Sequence, residues 1–189
     1  AAGGDLAVTT VTAGGLGADA RLTTTVAGNI TLGVVSATDQ VVLTAAGAVT
    51  DANGAAANVV AGALTATAFA GIDTDTTIAT LALANVTGAG ALDVSDRAGG
   101  LAVTLAQTAN GNVTLNATGG DLTIATVSVG GAGNDAVLST TTAGNLVLGS
   151  VTAPDAVSLT SAGAVTDVNG EAANVLAASL SVTAATGID

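Results

Sequence analysis

The sequence contains no cysteine, histidine, methionine, tryptophan, tyrosine or lysine, and Phe69 is its only aromatic residue. Each absence removes a class of answer. Lack of cysteine excludes disulfides and thiolate metal sites. With His, Lys, Tyr and Cys all missing, few groups remain that could act as nucleophile or general base, so the chain does not read as an enzyme. An irregular globular core normally fills its gaps with large side chains, and these are missing too. Positive charge is scarce: Arg21 and Arg97 stand against fourteen acidic residues, giving a net charge of −12. That balance repels phosphate backbones and anionic lipid surfaces, so neither nucleic acid nor membrane is expected as a partner.

What remains is mostly Ala, Val, Leu, Ile, Thr and Gly. Hydrophobic residues make up 49% of the chain, too many for a disordered segment. The 26 glycines follow no G-X-Y period, which excludes collagen. A mean hydropathy of +0.70 raises the question of a membrane span, and Gly54–Ile72 carries no charge. The stretch matching it later in the chain contains Glu171, and both alternate Thr or Ser after a Leu. Membrane insertion is therefore not expected. The N-terminus shows neither a basic segment nor an apolar signal region, and no initiator Met. The sequence thus reads as a section of something longer.

Residues 1–73 return without gaps as residues 117–189, with 45 of 73 positions identical. Long-period repeats of this kind mark arrays that span distance. Inside the repeat, apolar and small polar residues alternate, as in Ile30/Leu32, Val41/Leu43, Leu101/Val103/Leu105 and Leu122/Ile124. Period 2 is the mark of short strands with one buried face. The two copies act as a substitution series: Leu32/Leu148, Val41/Val157, Leu43/Leu159 and Leu64/Leu180 stay apolar, so they face in. Thr31 becomes Val147, Val42 becomes Ser158 and Arg21 becomes Val137, so these face water. The parity of alternation changes after Gly33, which predicts a bend there.

Glycine punctuation divides the 116-residue period into five coils, 28–46, 47–70, 71–99, 100–119 and 120–143. Many open with Gly, then Asn or Asp, then an aliphatic, a combination suited to a corner with a local Asx hydrogen bond. The expected fold is all-β: a parallel β-helix, or β-solenoid, of about eight coils of roughly 19–29 residues. It runs as one continuous solenoid over 1–189, with 74–116 as coils between the equivalent segments. Crossover bias favours a right-handed path. GAAANVVAG (54–62) reads as a loop.

The run GNITLGVVSATDQVVLTAAGAVTDANG, followed by a GALTATA strand and the GID landmark, resembles the central repeats of filamentous-haemagglutinin-like large bacterial exoproteins. The resemblance covers essentially the whole chain and rests on repeat style. It implies a right-handed parallel β-helix, and a structural stalk or shaft of a secreted or cell-surface adhesin or extracellular filament. Two-partner export follows from it in the same way. Open solenoid ends expose unpaired strand groups, so self-association, end to end or laterally, is expected, with cell-surface glycans as the other expected partner. The alternative is a carbohydrate- or ice-binding solenoid module acting through a flat Thr-rich face.

Four local patterns deserve weighing against plainer readings. Gly130-Gly131-Ala132-Gly133-Asn134-Asp135 fits the calcium nonapeptide, but such motifs bind through tandem copies and Ser139–Thr142 does not continue it. In the other copy Arg21 takes the hydrophobic position, so a Gly-rich corner is preferred, with no cofactor expected and calcium at Gly130, Gly131, Gly133 and Asp135 as the minor reading. Asp73, Asp75, Asp93 and Asp96 form an acidic cluster with Arg97 alongside, and solvated loop acids are preferred to a catalytic pair. Asn29, Asn85, Asn112 and Asn116 head Asn-X-Thr sequons, but Asn145, the counterpart of Asn29, does not, so corner asparagines are preferred. The runs Thr23–Thr25 and Thr140–Thr142 suggest an outward Thr array, against which stands simple strand preference for β-branched residues.

Overall fold

A computed structural model describes all of residues 1–189. It is all-β, with no helix, and its nineteen strands form one sheet whose register pairs are all parallel. Strands of successive coils stack directly, as the alternation requires. One inward ladder runs Leu6, Ile30, Val49, Ile72, Leu92, Val113, Ala136, Val157, Leu180. Its successive spacings are 24, 19, 23, 20, 21, 23, 21 and 23 residues, which defines eight coils. No 29-residue coil exists: segment 71–99 spans more than one turn, because Leu92 already lies over Ile72.

A second inward ladder runs down the other side of the coil through Ala20, Val41, Leu64, Leu81, Val103, Ile124 and Leu148. We call the sides face A (the Leu6 ladder) and face B (the Ala20 ladder). Together the two ladders supply 14 residues of a single core cluster of 39, and parallel inward ladders on the same strands supply most of the rest. Burying a Val, Leu or Ile contributes about 1.5–3 kcal/mol, and each rung is covered only by the coils above and below it. The core is narrow enough that aliphatic residues fill it without aromatics.

The register corrects the five-coil period. Five steps from Ile30 along its ladder reach Ala136, and six reach Val157. Leu146, the repeat counterpart of Ile30, falls between them and sits on face B, over Leu122 and under Val165. Conversely Ala136 and Val157, counterparts of Ala20 and Val41, stand on face A. One 116-residue period is therefore about five and a half coils. The second copy is carried about 26 Å along the axis, at about 4.8 Å per coil, and turned half way round it.

Local rules explain how each coil turns. Val35 and Val151 are buried, as the parity change after Gly33 predicts. Gly33 and Gly149 are needed there by close approach rather than by backbone angle. A Cβ on Gly33 would run into the carbonyl of Thr9, and one on Gly149 would meet that of Ala125 at 2.5 Å. Gly28 and Gly144 do sit at positive φ, +111° and +107°, where side chains are strained. The Asx residue after each corner glycine bonds across coils rather than locally. Asp5 Oδ1 accepts the Asn29 N–H at 2.8 Å, and Asn29 Oδ1 accepts the Ala48 N–H at 2.8 Å. The second copy repeats this through Asp121, Asn145 and Ala164. Val42, expected to face water, is 7% exposed although it points outward by alternation. Arg21 and Thr65 flank it on the outer ladder.

Candidate functional site

The most organised polar cluster is one the sequence reading treated as loop. Asp51-Ala52-Asn53-Gly54 turns out of face A, and the chain re-enters at Asn58, which has no exposed surface. Asn58 Nδ2 lies 2.9 and 3.1 Å from the carbonyls of Leu32 and Gly33, 2.8 Å from Asp51 Oδ1 and 2.9 Å from Asn53 Oδ1. Its Oδ1 accepts the Asp75 N–H at 2.9 Å, so one side chain ties three coils together. Asp51 also accepts the Asn53 N–H, an Asx turn. Asp167, Asn169 and Asn174 rebuild the same clamp on face B. Hydrogen bonds from Asn174 and from the Asn169 N–H hold the Asp167 carboxyl below its usual range. The conserved spacing D-x-N-G-x₃-N in both copies was the available signal. Without knowing which strands flank it, the buried Asn could not be told from a solvated one.

The structure uses the groups of the calcium-like loop for its own corner. Asn134 Nδ2 donates to the carbonyls of Gly130 at 2.7 Å and Gly131 at 3.1 Å. Asp135 Oδ1 accepts the Ala156 N–H of the next coil at 2.9 Å. Asp19, in the other copy, accepts the Gln40 N–H in the same way. Gly131 and Gly133 supply positive φ at the bend, 81° and 74°. These side chains act as coil-to-coil staples.

The acidic cluster is divided by the fold. Asp73 and Asp93 are exposed neighbours on face A, one coil apart. Burial of part of each carboxyl raises both above the usual range, with Asp51 and Asp75 adding to the effect at Asp73, and Asp73 and Asp75 at Asp93. Asp75 is instead paired with Arg97, the only nearby base. Asp96 points into the core and is fully buried. Its Oδ1 accepts the Thr76 hydroxyl at 3.1 Å and the Ile78 N–H at 3.0 Å, while Oδ2 has no partner. Burial raises its pKa against the pull of those donors. A shallow depression of about 350 Å³ lies beside Asp73 and Asp93, lined otherwise by small and aliphatic residues and by backbone.

The sequon asparagines hold corner or ladder positions. Asn29 and Asn112 each accept a backbone N–H from the next coil, Asn85 accepts from Gln107, and Asn116 accepts the Ser139 hydroxyl. The Thr runs do not form the outward array. Thr24 and Thr140 are buried at corners, where each hydroxyl donates to the carbonyl of a corner glycine, Gly28 or Gly144. A different polar array does run outward. On face B, Thr23, Thr44, Thr67, Asn85, Gln107, Ser128 and Thr152 stack rung on rung. On face A, Asp75, Ser95, Asn116, Ser139, Thr160 and Thr183 do the same. Ser139, Thr160 and Thr183 are the counterparts of Thr23, Thr44 and Thr67, moved to the opposite face by the half turn.

Set against protein-family models, curated proteins and solved structures, the chain matches none of them. It is a β-helical repeat protein by its own geometry. No helix is long and apolar enough to cross a membrane.

Proposed function

We propose that this chain is part of a structural shaft: the stalk of a secreted or surface-attached bacterial adhesin, or a segment of an extracellular filament. The observation carrying this reading is the pair of inward aliphatic ladders, which pass from coil to coil without interruption. Such a core gains stability by adding coils and sets no limit on length. The side chains with the strongest chemistry support the same reading. The amide of Asn58 and the carboxylates of Asp5, Asp19, Asp121 and Asp135 are spent holding one coil to the next. The filamentous-haemagglutinin-like style of the repeats favours a right-handed helix, export from the cell and a place on its surface. Net charge of −12 suits a long object that must stay dispersed. Electron microscopy of negatively stained native material tests the proposal. Unbranched rods of uniform width are expected, and compact particles of fixed length would overturn it.

A further inference from the structure

Face B carries charge only at its two ends, Arg21 on its first coil and Asp167 on its last. Its strand segments 40–45, 63–68, 80–87, 101–110, 122–129 and 146–152 contain no charged residue. Apart from Asp167 on the last coil, the nearby carboxylates lie elsewhere: Asp51, Asp73, Asp75 and Asp93 on face A, and Asp19, Asp39, Asp121, Asp135 and Asp155 at the corners or coil ends. Along face B the half-exposed Leu83 stands beside the polar ladder, and Phe69 is 58% exposed at its margin. The Phe69 ring lies over Gly88, where a Cβ would be 2.8 Å from it. A shallow depression of about 360 Å³ opens on the ladder between Asn85, Thr87, Gln107 and Ser128.

We propose that face B is a lateral docking surface for a second copy of this chain, the two shafts lying side by side with their face B ladders apposed. Charge selects the face: through these six segments two acidic molecules meet with no carboxylate facing another, whereas contact through the centre of face A would oppose acid to acid. Size allows it. Six rungs at about 4.8 Å, across strands about 20 Å wide, offer about 600 Å² per copy. A pair then buries about 1,200 Å², at the lower end for specific interfaces, so a reversible dimer is the expected product. Hydroxyl and amide side chains that both donate and accept suit a surface facing its own image. The half turn extends the idea: a further 116-residue unit would present its equivalent face on the opposite side, so pairing would alternate sides along a longer shaft. The pairing adds to the shaft reading but is tested separately, since an isolated shaft remains a shaft.

Sedimentation equilibrium of the 189-residue chain over a hundredfold concentration range is the test. A concentration-dependent dimer is expected. Thr67→Glu/Gln107→Glu, shown by circular dichroism to keep its β signal, weakens dimerisation at least tenfold. Ala7→Glu/Thr9→Glu, which adds the same charge on the first coil of face A, leaves it within twofold. Should the double face B variant unfold, Asn85→Arg alone is measured in its place, with the same loss expected. A monomer at every concentration overturns the proposal, and so does a dimer that tolerates charge on face B. If the monomeric chain is retarded in gels containing neutral polysaccharide, and face B glutamates abolish the retardation, the face belongs to a glycan and the pairing is wrong.

Discussion

Residues 1–73 and 117–189 share 45 identical positions and the same local devices, yet they face opposite ways. In the first copy, Ile30 is on face A and Val41 on face B. In the second, Leu146 is on face B and Val157 on face A. Corner glycines, Asx staples and the buried-Asn clamp are all preserved through this exchange. The lesson is that the coil has two nearly interchangeable sides. A segment needs a parallel neighbour and a partner of similar width, and either side supplies both. The copies differ in what covers them. Within residues 1–189 coils lie on both sides of Leu64, which is fully buried, whereas Leu180 stands on the last coil of this segment and is 52% exposed.

The sharpest way to break the comparison is to measure it directly. The chain lacks cysteine, so Thr44→Cys and Thr160→Cys can be spin-labelled cleanly. A half-turn period places the labels on opposite faces. A distance distribution fitting one face, offset only along the axis, would restore the integral five-coil period.

Stability should then separate the copies, since the same substitution is made in two settings. Leu64→Ala is expected to cost about 2–5 kcal/mol in urea unfolding, and Leu180→Ala under about 1 kcal/mol. Equal losses would mean that both ends unfold as one cooperative unit with equal cover. Asn58→Ala leaves buried carbonyls and a backbone N–H without their partner and should cost about 2–4 kcal/mol. Asn174→Ala should cost roughly half of that, because its site is partly exposed. Gly28→Ala and Gly144→Ala, by contrast, should be matched at about 1–3 kcal/mol each, since both combine positive φ with a carbonyl in the path of the new Cβ.

The smallest effect concerns the acidic groups. Asp73, Asp93 and Asp96 have folded-state pKa values above 3.8, so the folded protein binds their protons more tightly than the unfolded chain. Their contribution is most favourable below that value and is lost as pH rises through the raised values. Asp167 behaves oppositely: its stabilisation is present above 3.8 and fades as pH falls through its lowered value. Thermal melts should therefore show a modest gain in midpoint on acidification from pH 7 to about 3.8. Asp93→Asn should reduce that gain and raise the midpoint at pH 7, by removing a partly buried charge and relieving its repulsion with Asp73. A midpoint that falls steadily over this range would contradict the raised values.

Much of the fold was legible in the residues. Alternation in Ile30/Leu32 and Val41/Leu43 marked inward and outward positions, and the parity change at Gly33 marked a real bend. Errors arose wherever an assignment needed to know what lies one coil away. Val42 follows the outward parity but is covered on its ladder. Thr24 and Thr140 sit in Thr-rich runs but are turned in by corners. Asn58 lies in an Ala-rich loop but closes a clamp whose acceptors come from Leu32 and Gly33, 26 and 25 residues earlier. The outward ladders were missed for the same reason: Asn85 and Gln107 are unremarkable until register sets them side by side.

Sequence alone determined that this chain stacks. Period-2 alternation, glycine corners and a supply of aliphatic residues without aromatics leave little besides a narrow β-solenoid. Tertiary structure decided the phase. Coil length varies from 19 to 24 residues, and nothing local records how many turns have passed. Only the parallel pairing of each strand with its neighbour reveals that 116 residues make a half-integral number of coils, and so which side of the shaft each repeated surface occupies.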